Sequence, residues 1–561
     1  MRVILLFFLV ACAALAGRLF IMQIVHHAQY ARLATRQHGV IQELSGERGI
    51  ITAHDKEGNR IPLALNKAYK VLVASPAHIE NPEETAGIIA KEFNLDYTEV
   101  LRKLSKAGDP YEVLARKIEP DAADQFSARG IAGISFEDEM RRVYPDGRVV
   151  AHLVGFVQSD QGEESGRYGI ERFYNAELAG ATGVLEGVKD ASGFLIALGR
   201  RILTPPKDGA SVDLTIDYTI QRRAQEEIAK AREKWGAALG IVIVMDPKTG
   251  RILADAGDPS FDPNAFSREQ DFSVFLNAAV ESSYEVGSVM KPITMAAGLE
   301  EKVITPESRY NDTGELKIGG FTIRNFDGNA YHTQTMTQVL EKSLNTGAAH
   351  VAGLLGHERQ LAYLKKFGLG EKTNVDLPGE VSGNISNMDA GRDVDFVTAS
   401  FGQGIAVTPL QMASAIGAIA NHGVLMRPYV AEKITDSSGN EIKKESETVR
   451  TVISPDAADR LTKMLISAVR NGFENRAGVK GYFVAGKTGT AQAPNKTGRG
   501  YSDALIHTFI GYAPAFDPKF LILLQLNDPH GNRFAANTLT PVFHDLAEFI
   551  LNYYQVPPDE K

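Results

Sequence analysis

The segment Ala238-Leu-Gly-Ile-Val-Ile-Val-Met245 is apolar and rich in β-branched residues, and Asp246-Pro-Lys-Thr-Gly250 and Arg251-Ile-Leu-Ala-Asp-Ala256 follow it directly. Val and Ile favour strands, whereas Asp, Pro and Gly favour tight turns. The pattern therefore predicts a β-hairpin. A polar helix is predicted just before it, at Gln221–Lys234, and we place the start of a domain at residue 221.

Downstream of the hairpin the sequence predicts long helical stretches and then short strands: Val339–Leu355, Leu410–Asn421 and Pro455–Asn471, followed by Phe483–Gly486, Thr508–Ala513 and Phe520–Leu526. An early hairpin, a helical middle and late strands indicate an α+β domain. Its first and last strands are expected to meet in one sheet.

The region upstream of residue 221 has a different pattern of predicted elements, with short strands, Gly turns and a few helices. Its best helices are Glu83–Phe93 and Asp96–Lys106, for which Asn81-Pro82 and Asp96 are suitable starts. Residues 26–45 are polar and predict a stalk. The expected domains are thus 1–25, 26–220 and 221–561.

The N-terminus carries an apolar run, Val3–Gly17, that continues after Arg18 from Leu19 to Met22. This length suits a helix that crosses a bilayer, because about 20 apolar residues are needed. Two alternatives are a signal peptide cleaved near Ala14–Gly17 and a lipoprotein signal at Cys12. An uncleaved anchor is favoured because the run outlasts both cleavage points, and all three interpretations place the rest of the chain outside the cytoplasm.

Composition excludes several function classes. The chain has 561 residues, 44% hydrophobic and 23% charged, and a net charge of −9, which argues against a nucleic-acid partner. Cys12 is the only cysteine, so the exported part has neither a disulfide framework nor a thiolate metal site. The thirteen histidines show no H-E-x-x-H spacing, and we expect no metal and no cofactor.

A serine nucleophile with a lysine base is predicted at Ser288-Val-Met-Lys291, because residues three apart share one face of a helix. The pattern S-x-x-K occurs once in the chain, although alone it also fits an N-cap serine beside a solvated lysine. Gly287 before it and the helix-forming stretch after Pro292 suit a serine at a helix N-terminus.

Ser-x-Asn occurs three times, and context favours Ser343-Leu-Asn345. The other two copies, at Ser382 and Ser438, lie among Gly and polar residues, where turns are expected anyway. The first lies between apolar stretches. A serine here can relay a proton, and Asn345 can hold a substrate amide or the lysine.

Lys-Thr-Gly also occurs three times, and context favours Lys487-Thr488-Gly489, with Thr490 following. The copy at Lys248 is the hairpin turn, and the copy at Lys496 lies in a loop rich in Pro, Asn and Gly. Only Lys487 follows an apolar strand, whose edge can pair with an extended peptide. A second ammonium near Lys291 would also favour a neutral lysine base.

The three motifs, in this order, resemble those of penicillin-binding proteins and serine β-lactamases. The likeness to class B transpeptidases extends further, to Gly240–Gly250, Phe401-Gly-Gln-Gly404, Val407–Gln411, Gly511-Tyr-Ala-Pro514, Arg48–Ile51, Tyr144–Gly155 and Gly169-Ile-Glu171. The resemblance implies an α+β serine β-lactamase-like transpeptidase domain, preceded by an elongated pedestal domain and one transmembrane helix.

The resemblance also implies a reaction and its residues. Ser288 would attack the D-Ala-D-Ala carbonyl of a peptidoglycan stem peptide, with Lys291 as the acylation base. Ser343 and Asn345 would relay a proton and position the substrate. Lys487 would be the fifth catalytic residue, and Thr488, Gly489 and Thr490 would bind the substrate, with Lys487 and Thr488 holding its terminal carboxylate. The backbone N–H groups of Ser288 and Thr490 would form the oxyanion hole, and β-lactams would acylate the same serine.

Three residues depart from the family pattern: Val286, Met290 and Asp255 stand where proline, a smaller residue and an apolar residue are usual. We expect them to affect the cleft width and drug affinity rather than the nucleophile.

Several competing functions use the same motifs. A β-lactamase normally stands alone and carries a deacylating acid, which Glu341 mimics at an unsuitable offset. A β-lactam sensor has several membrane spans, a bifunctional synthase needs an acidic pair that residues 26–220 lack, and a scaffold would not keep all three motifs. Within class B, the compact pedestal, the form of Tyr144–Phe156 and the short C-terminus resemble the division type more than the elongation type. The expected partners are the membrane, a membrane-embedded glycan polymerase and divisome proteins.

Overall fold

A computed structural model describes residues 2–27, 39–44, 46–106, 108–160, 163–188, 201–472, 474–495 and 500–560. The chain divides into two compact units. The smaller comprises Met1–Gly49, Ala176–Ala210 and Asp436–Asn440, and the larger comprises Ile50–Asn175, Ser211–Thr435 and Glu441–Lys561.

The smaller unit contains the N-terminal helix Arg2–Phe20, which continues as a π-helical turn at Ile21–Val25. Within the described residues this is the one helix, Ile4–Val25, that is long and apolar enough to cross a membrane. An antiparallel sheet in the order Gly39–Leu44, Gly183–Val188, Arg201–Thr204 completes the unit. The predicted stalk at 26–45 falls largely on residues 28–38 and 45, which lie outside the described residues.

The first part of the larger unit is built on a mixed sheet. Its strands, in spatial order, are Glu441–Lys443, Ala431–Thr435, Ser211–Asp217, Ile51–His54, Arg60–Ala74 and Glu112–Ile118, with Ile134–Val143 also paired to Arg60–Ala74. Only the pairing between Ser211–Asp217 and Ile51–His54 is parallel among these. Two strands from beyond residue 221 thus extend a sheet that begins before it.

Helices cover part of this sheet, and two of them were predicted. Pro82–Phe93 and Tyr97–Leu104 confirm the helices expected in this region. Asn81 and Asp96 cap them, accepting hydrogen bonds from the backbone N–H groups of Glu84 and Glu99. Their apolar sides form a core with Leu72, Ile89, Val100 and Phe126. Shorter helices lie at Pro120–Ser127, Gly147–Val154 and Gly169–Phe173.

The second part of the larger unit contains a five-stranded antiparallel sheet in the order Ile252–Asp258, Leu239–Met245, Phe520–Asn527, Tyr501–Ala513, Ala485–Pro494. The predicted hairpin forms its first two strands. Leu239–Met245 pairs with Phe520–Asn527, which confirms that early and late strands meet.

Helices lie on both faces of this sheet. Gly240 faces Ile228 of the helix Tyr218–Trp235, whereas Met245, five residues on, faces Gly417 of the helix Pro409–Ala420. Alternate residues of a strand point to opposite faces, so the two helices are on opposite sides. The other helices are Ala278–Glu281, Lys291–Glu300, Met336–Glu341, Asn345–Leu355, His357–Lys366, Asp393–Ala399, Pro455–Ser467, Ala535–Thr538 and Thr540–Tyr553. Short two-stranded pairs are Arg309–Asp312 with His332–Thr335, Glu315–Ile318 with Phe321–Arg324, and Val424–Met426 with Thr448–Thr451.

The predicted helical stretch Val339–Leu355 is wrong in one respect, because it is two helices. Met336–Glu341 ends and Asn345–Leu355 begins on either side of Ser343, whose φ of +56° is incompatible with a right-handed helix. The break falls within the Ser-x-Asn motif.

Candidate active site

Ser288 lies on the 3₁₀ turn Gly287–Met290, which runs directly into the helix Lys291–Glu300. Gly287 has a φ of +60°, and a Cβ there would lie 3.0 Å from the carbonyl oxygen of Thr490. Glycine before the serine therefore lets this turn pack against the neighbouring strand. Val286 and Met290, the departures from the family pattern, are buried beneath it.

Lys291 is completely buried, and its side-chain nitrogen is the centre of the site. Its Nζ donates to Ser288 Oγ at 2.9 Å, to the Ser343 carbonyl oxygen at 2.5 Å and to Ser343 Oγ at 3.2 Å. Burial, and secondarily the charge of Lys487, holds the pKa of Lys291 well below its usual value. A neutral amine this close to a serine hydroxyl can accept its proton.

Lys487 approaches Ser343 from the other side. Its Nζ donates to Ser343 Oγ at 3.0 Å and to the carbonyl oxygen of Thr488 at 3.1 Å. It is 1% exposed, and burial lowers its pKa to about 7. Ser288, Lys291, Ser343 and Lys487 thus form one hydrogen-bonded chain.

The left-handed backbone of Ser343 makes this chain possible. Its carbonyl oxygen and its hydroxyl both bond the same lysine nitrogen. Asn345 opens the next helix and lines the cavity, but its Nδ2 donates to the carbonyl oxygen of Arg324 at 2.8 Å rather than to a lysine.

The structure distinguishes two of the three Lys-Thr-Gly copies. Lys487, Thr488 and Gly489 lie on the sheet's last strand, whose partner among the described residues is Tyr501–Ala513. A Cβ on Gly489 would lie 2.7 Å from the Val286 carbonyl oxygen, so a larger residue would push this strand off the Ser288 turn.

The copy at Lys248 forms a surface turn. Lys248 pairs with Asp517, and Thr249 Oγ1 donates to Asp246 at 2.6 Å. The copy at 496–498 lies outside the described residues.

A cavity of about 410 Å³ opens above Ser288. Its walls include the predicted residues Ser343, Asn345, Thr488 and Thr490, while the two lysines and Gly489 lie beneath them. Sequence reasoning did not assign the remaining lining residues to the site. Lys342 and Gln492 lie beside the motifs, Phe401 and Gln403 belong to the family-like segment Phe401–Gly404, and the others come from more distant segments: Asn325, Phe326, Asp327, Tyr331, Asn471, Gly472, Phe534 and Ala536. Phe326 and Phe534 meet edge to face, with ring centroids 5.5 Å apart.

Glu341 also lines this cavity, and its carboxylate has partners of its own. It accepts hydrogen bonds from Ser467 Oγ at 2.5 Å and from Asn471 Nδ2 at 3.1 Å. These bonds tie it to the neighbouring helix.

At the floor of an open cleft, a serine hydroxyl is thus hydrogen-bonded to a buried lysine whose pKa is lowered. This is the arrangement of a serine acyl-transfer enzyme. Comparisons with known proteins define the family. The penicillin binding protein transpeptidase domain matches residues 240–548, and the penicillin-binding protein dimerisation domain matches residues 43–214.

Stage V sporulation protein D of Bacillus subtilis is 32% identical over 99% of this chain and 86% of its own length. The peptidoglycan D,D-transpeptidase FtsI of Escherichia coli is 30% identical over 98% of this chain and 91% of its own. The crystal structure of penicillin binding protein 3 from Mycobacterium tuberculosis complexed with aztreonam, 27% identical, matches with a TM-score of 0.71 over 92% of this chain and 98% of that chain.

The chain belongs to the class B penicillin-binding proteins. It is a penicillin-binding peptidoglycan D,D-transpeptidase whose α+β catalytic domain follows a dimerisation-type pedestal domain. Its N-terminal apolar helix is consistent with a membrane anchor. Stem peptides and β-lactams are its ligands.

Proposed function

We propose that cross-linking proceeds through an acyl-enzyme on Ser288. Neutral Lys291 takes the proton of Ser288 Oγ as this oxygen attacks the carbonyl of the penultimate D-Ala. The backbone N–H groups of Ser288 and Thr490 face the developing oxyanion. The C–N bond then breaks, and the proton reaches the departing D-Ala amine through Ser343 Oγ.

The remaining residues hold the substrate. Lys487 and Thr488 bind the terminal carboxylate, and the strand edge from Lys487 to Thr490 pairs with the extended stem peptide. Asn345 positions the peptide across the cleft. In the second half-reaction an amine of a neighbouring peptide attacks the ester and loses a proton to Lys291. The ester C–O bond breaks, and Lys291 returns this proton to Ser288 Oγ, which restores the free enzyme.

The observation that carries this assignment is the hydrogen-bonded chain from Ser288 through Lys291 and Ser343 to Lys487. A fluorescent penicillin tests it. The wild type should become covalently labelled, and Ser288→Ala should not, whereas Ser382→Ala and Ser438→Ala should label normally. Labelling of Ser288→Ala at another serine would overturn the assignment of all three motifs.

The division septum is the proposed place of action, with a membrane-embedded glycan polymerase and divisome proteins as partners. The form of Tyr144–Phe156 supports this choice over a role in elongation. Localisation of a fluorescently tagged copy decides between them. A band at mid-cell fits the division role, and a distribution along the side wall would instead favour elongation.

The domain limits 1–25, 26–220 and 221–561 are part of this proposal, with residues 1–25 as an uncleaved anchor and the catalytic domain outside the cytoplasm. The apolar length of Ile4–Val25 supports it. N-terminal sequencing of the membrane-bound protein should find the original start. A lipid-bearing start at Cys12, or a start near Gly17, would overturn the anchor. Protease added to intact spheroplasts should digest the catalytic domain.

A further inference from the structure

The helix Asn345–Leu355, which follows the catalytic Ser343, begins without a cap of its own. Its N-cap residue is Leu344, whose side chain has no acceptor for the first free N–H groups. These N–H groups are nevertheless bonded. Those of Asn345 and Thr346 donate to the side-chain oxygen of Asn325, at 3.0 and 3.3 Å. A residue twenty positions earlier therefore caps this helix from outside.

A buried carboxylate fixes the orientation of the Asn325 amide. Asn325 is 4% exposed and Asp312 is 1% exposed. Asn325 Nδ2 donates to Asp312 Oδ2 at 2.9 Å, to its Oδ1 at 3.2 Å and to the Asn329 carbonyl oxygen at 3.1 Å. With its nitrogen committed to these acceptors, the amide oxygen must face the helix N-terminus.

Asp312 is itself held by three further donors. It accepts from the N–H of Gly314 at 3.0 Å, the N–H of Tyr331 at 2.9 Å and the Thr346 hydroxyl at 2.6 Å. The Thr346 hydroxyl belongs to the capped helix turn. The carboxylate is therefore hydrogen-bonded to that turn directly as well as through Asn325. Such fully bonded buried groups are rigid.

We propose that Asn325 and Asp312 are positioning residues that hold Ser343 in its left-handed conformation. A non-glycine residue at positive φ costs about 1–3 kcal/mol and persists only where its surroundings impose it. The cap fixes the chain two residues after Ser343, and the Asn345 side chain, bonded to the Arg324 carbonyl oxygen, adds a second attachment to the same strand end.

The functional consequence concerns Lys291. Released from this clamp, Ser343 would relax toward ordinary backbone angles and turn its carbonyl oxygen away from the lysine, which would lose its shortest hydrogen bond. Lys291 would then be poorly aligned with Ser288. The inference rests on the proposed roles of Ser288, Lys291 and Ser343, and labelling of Ser288→Ala tests those separately.

The test measures acylation by penicillin in two parts: the rate constant at saturating drug and the dissociation constant of the complex that precedes it. In Asn325→Ala we expect the rate constant to fall by up to about a hundredfold, as for a displacement of a catalytic group by about 1 Å. The dissociation constant should stay within about threefold. Asp96→Ala is the matched control, because it removes a helix cap in the pedestal that contributes similarly to stability. It should leave both constants unchanged.

A rescue experiment distinguishes a positioning role of Asn325 from a general loss of stability. It can also be used if Asn325→Ala does not fold. Asn325→Asp keeps the capping oxygen but places a carboxylate against Asp312, and should acylate slowly. Adding Asp312→Asn restores a donor between the two side chains, and should recover at least tenfold of the lost rate.

Two results would overturn the inference. One is a wild-type acylation rate in Asn325→Asp. The other is a loss confined to the dissociation constant, which would make Asn325 a substrate-binding residue instead.

Discussion

Replacing Lys487 by Met should slow acylation through its effect on the protonation of Lys291. Both ammonium nitrogens bond the Ser343 hydroxyl, at 3.2 and 3.0 Å, so they lie at most about 6 Å apart. Two unit charges at that separation repel by about 3 kcal/mol at an effective dielectric constant of about 20. That energy corresponds to about a hundredfold in the equilibrium between charged and neutral Lys291.

The sign follows from the cause of the shift. The charge of Lys487 helps to keep the pKa of Lys291 low, so removing it raises that pKa toward the ordinary value of lysine. Less Lys291 is then neutral at a given pH. At pH 6, where Lys487 of the wild type is largely charged because its pKa is about 7, the acylation rate constant should fall by up to about a hundredfold. At high pH the variant should recover, because Lys291 deprotonates in both proteins.

Stopped-flow acylation at saturating penicillin, measured from pH 5 to 10, provides the profile. Saturation separates the acylation step from the weaker carboxylate binding that Lys487→Met also causes. Lys248→Met is the control, because that lysine lies in a surface turn paired with Asp517, and its profile should match the wild type. A loss of rate by the same factor at every pH would refute the reasoning, since it would show that Lys487 does not act through the protonation of Lys291.

Three further predictions address other parts of the molecule. Lys291→Ala should reduce penicillin labelling by about 10²–10⁴-fold, whereas Lys248→Ala should label normally; equal labelling of the two variants would contradict the base assignment. The penicilloyl-enzyme should persist for many minutes by intact-mass spectrometry after removal of free drug, and Glu341→Gln should not prolong it, because Ser467 and Asn471 already bond that carboxylate. Rapid return to the unmodified mass would instead identify a deacylating group. Burial raises the pKa of Asp255 to about 6, so its contribution to stability is lost as the pH rises from about 4 through 6. The free energy of unfolding of Asp255→Asn, measured with denaturant, should therefore rise by up to about 3 kcal/mol relative to that of the wild type between pH 4 and pH 7. If the difference between the two proteins does not change with pH, the carboxyl is not protonated in the folded state.

The sequence predicted those features that are encoded locally. The hairpin at 238–256 is a run of strand-forming residues around a Pro- and Gly-containing turn, and it forms as expected. Context also separated the Lys-Thr-Gly copy on a strand from the copy in the hairpin turn, because a strand and a turn differ in their neighbours. The meeting of the first and last strands followed from the order of elements alone.

Features imposed by distant contacts could not be predicted. Nothing in Lys342-Ser-Leu-Asn345 indicates a positive φ at Ser343. A glycine at that position would have indicated one. The contacts that we propose hold this break come from elsewhere in the chain: Asn325 bonds the first N–H of the next helix, and Lys291 bonds the Ser343 carbonyl oxygen. Similarly, the sharing of one sheet between Ser211–Asp217 and Ala431–Thr435 joins residues more than two hundred positions apart.

Burial lowers the pKa values of Lys291 and Lys487 more than their mutual repulsion does. The sequence suggested that two ammonium groups would disfavour each other, but the largest cause of both lowered pKa values is removal from water. Burial penalises the charge on either lysine and does not by itself decide which one is neutral. The hydrogen bonds do not decide it either, since both lysine nitrogens donate to a serine hydroxyl and to a backbone carbonyl oxygen.

In the proposed mechanism a substrate makes the distinction. If Lys487 and Thr488 bind the terminal carboxylate of a stem peptide or of a penicillin, its negative charge stabilises the proton on Lys487. That charged Lys487 in turn disfavours a second proton on Lys291, which stays neutral beside Ser288. Binding of the correct ligand thus prepares the base at the moment when the nucleophile needs it. A ligand without a carboxylate leaves the choice between the two amines unmade.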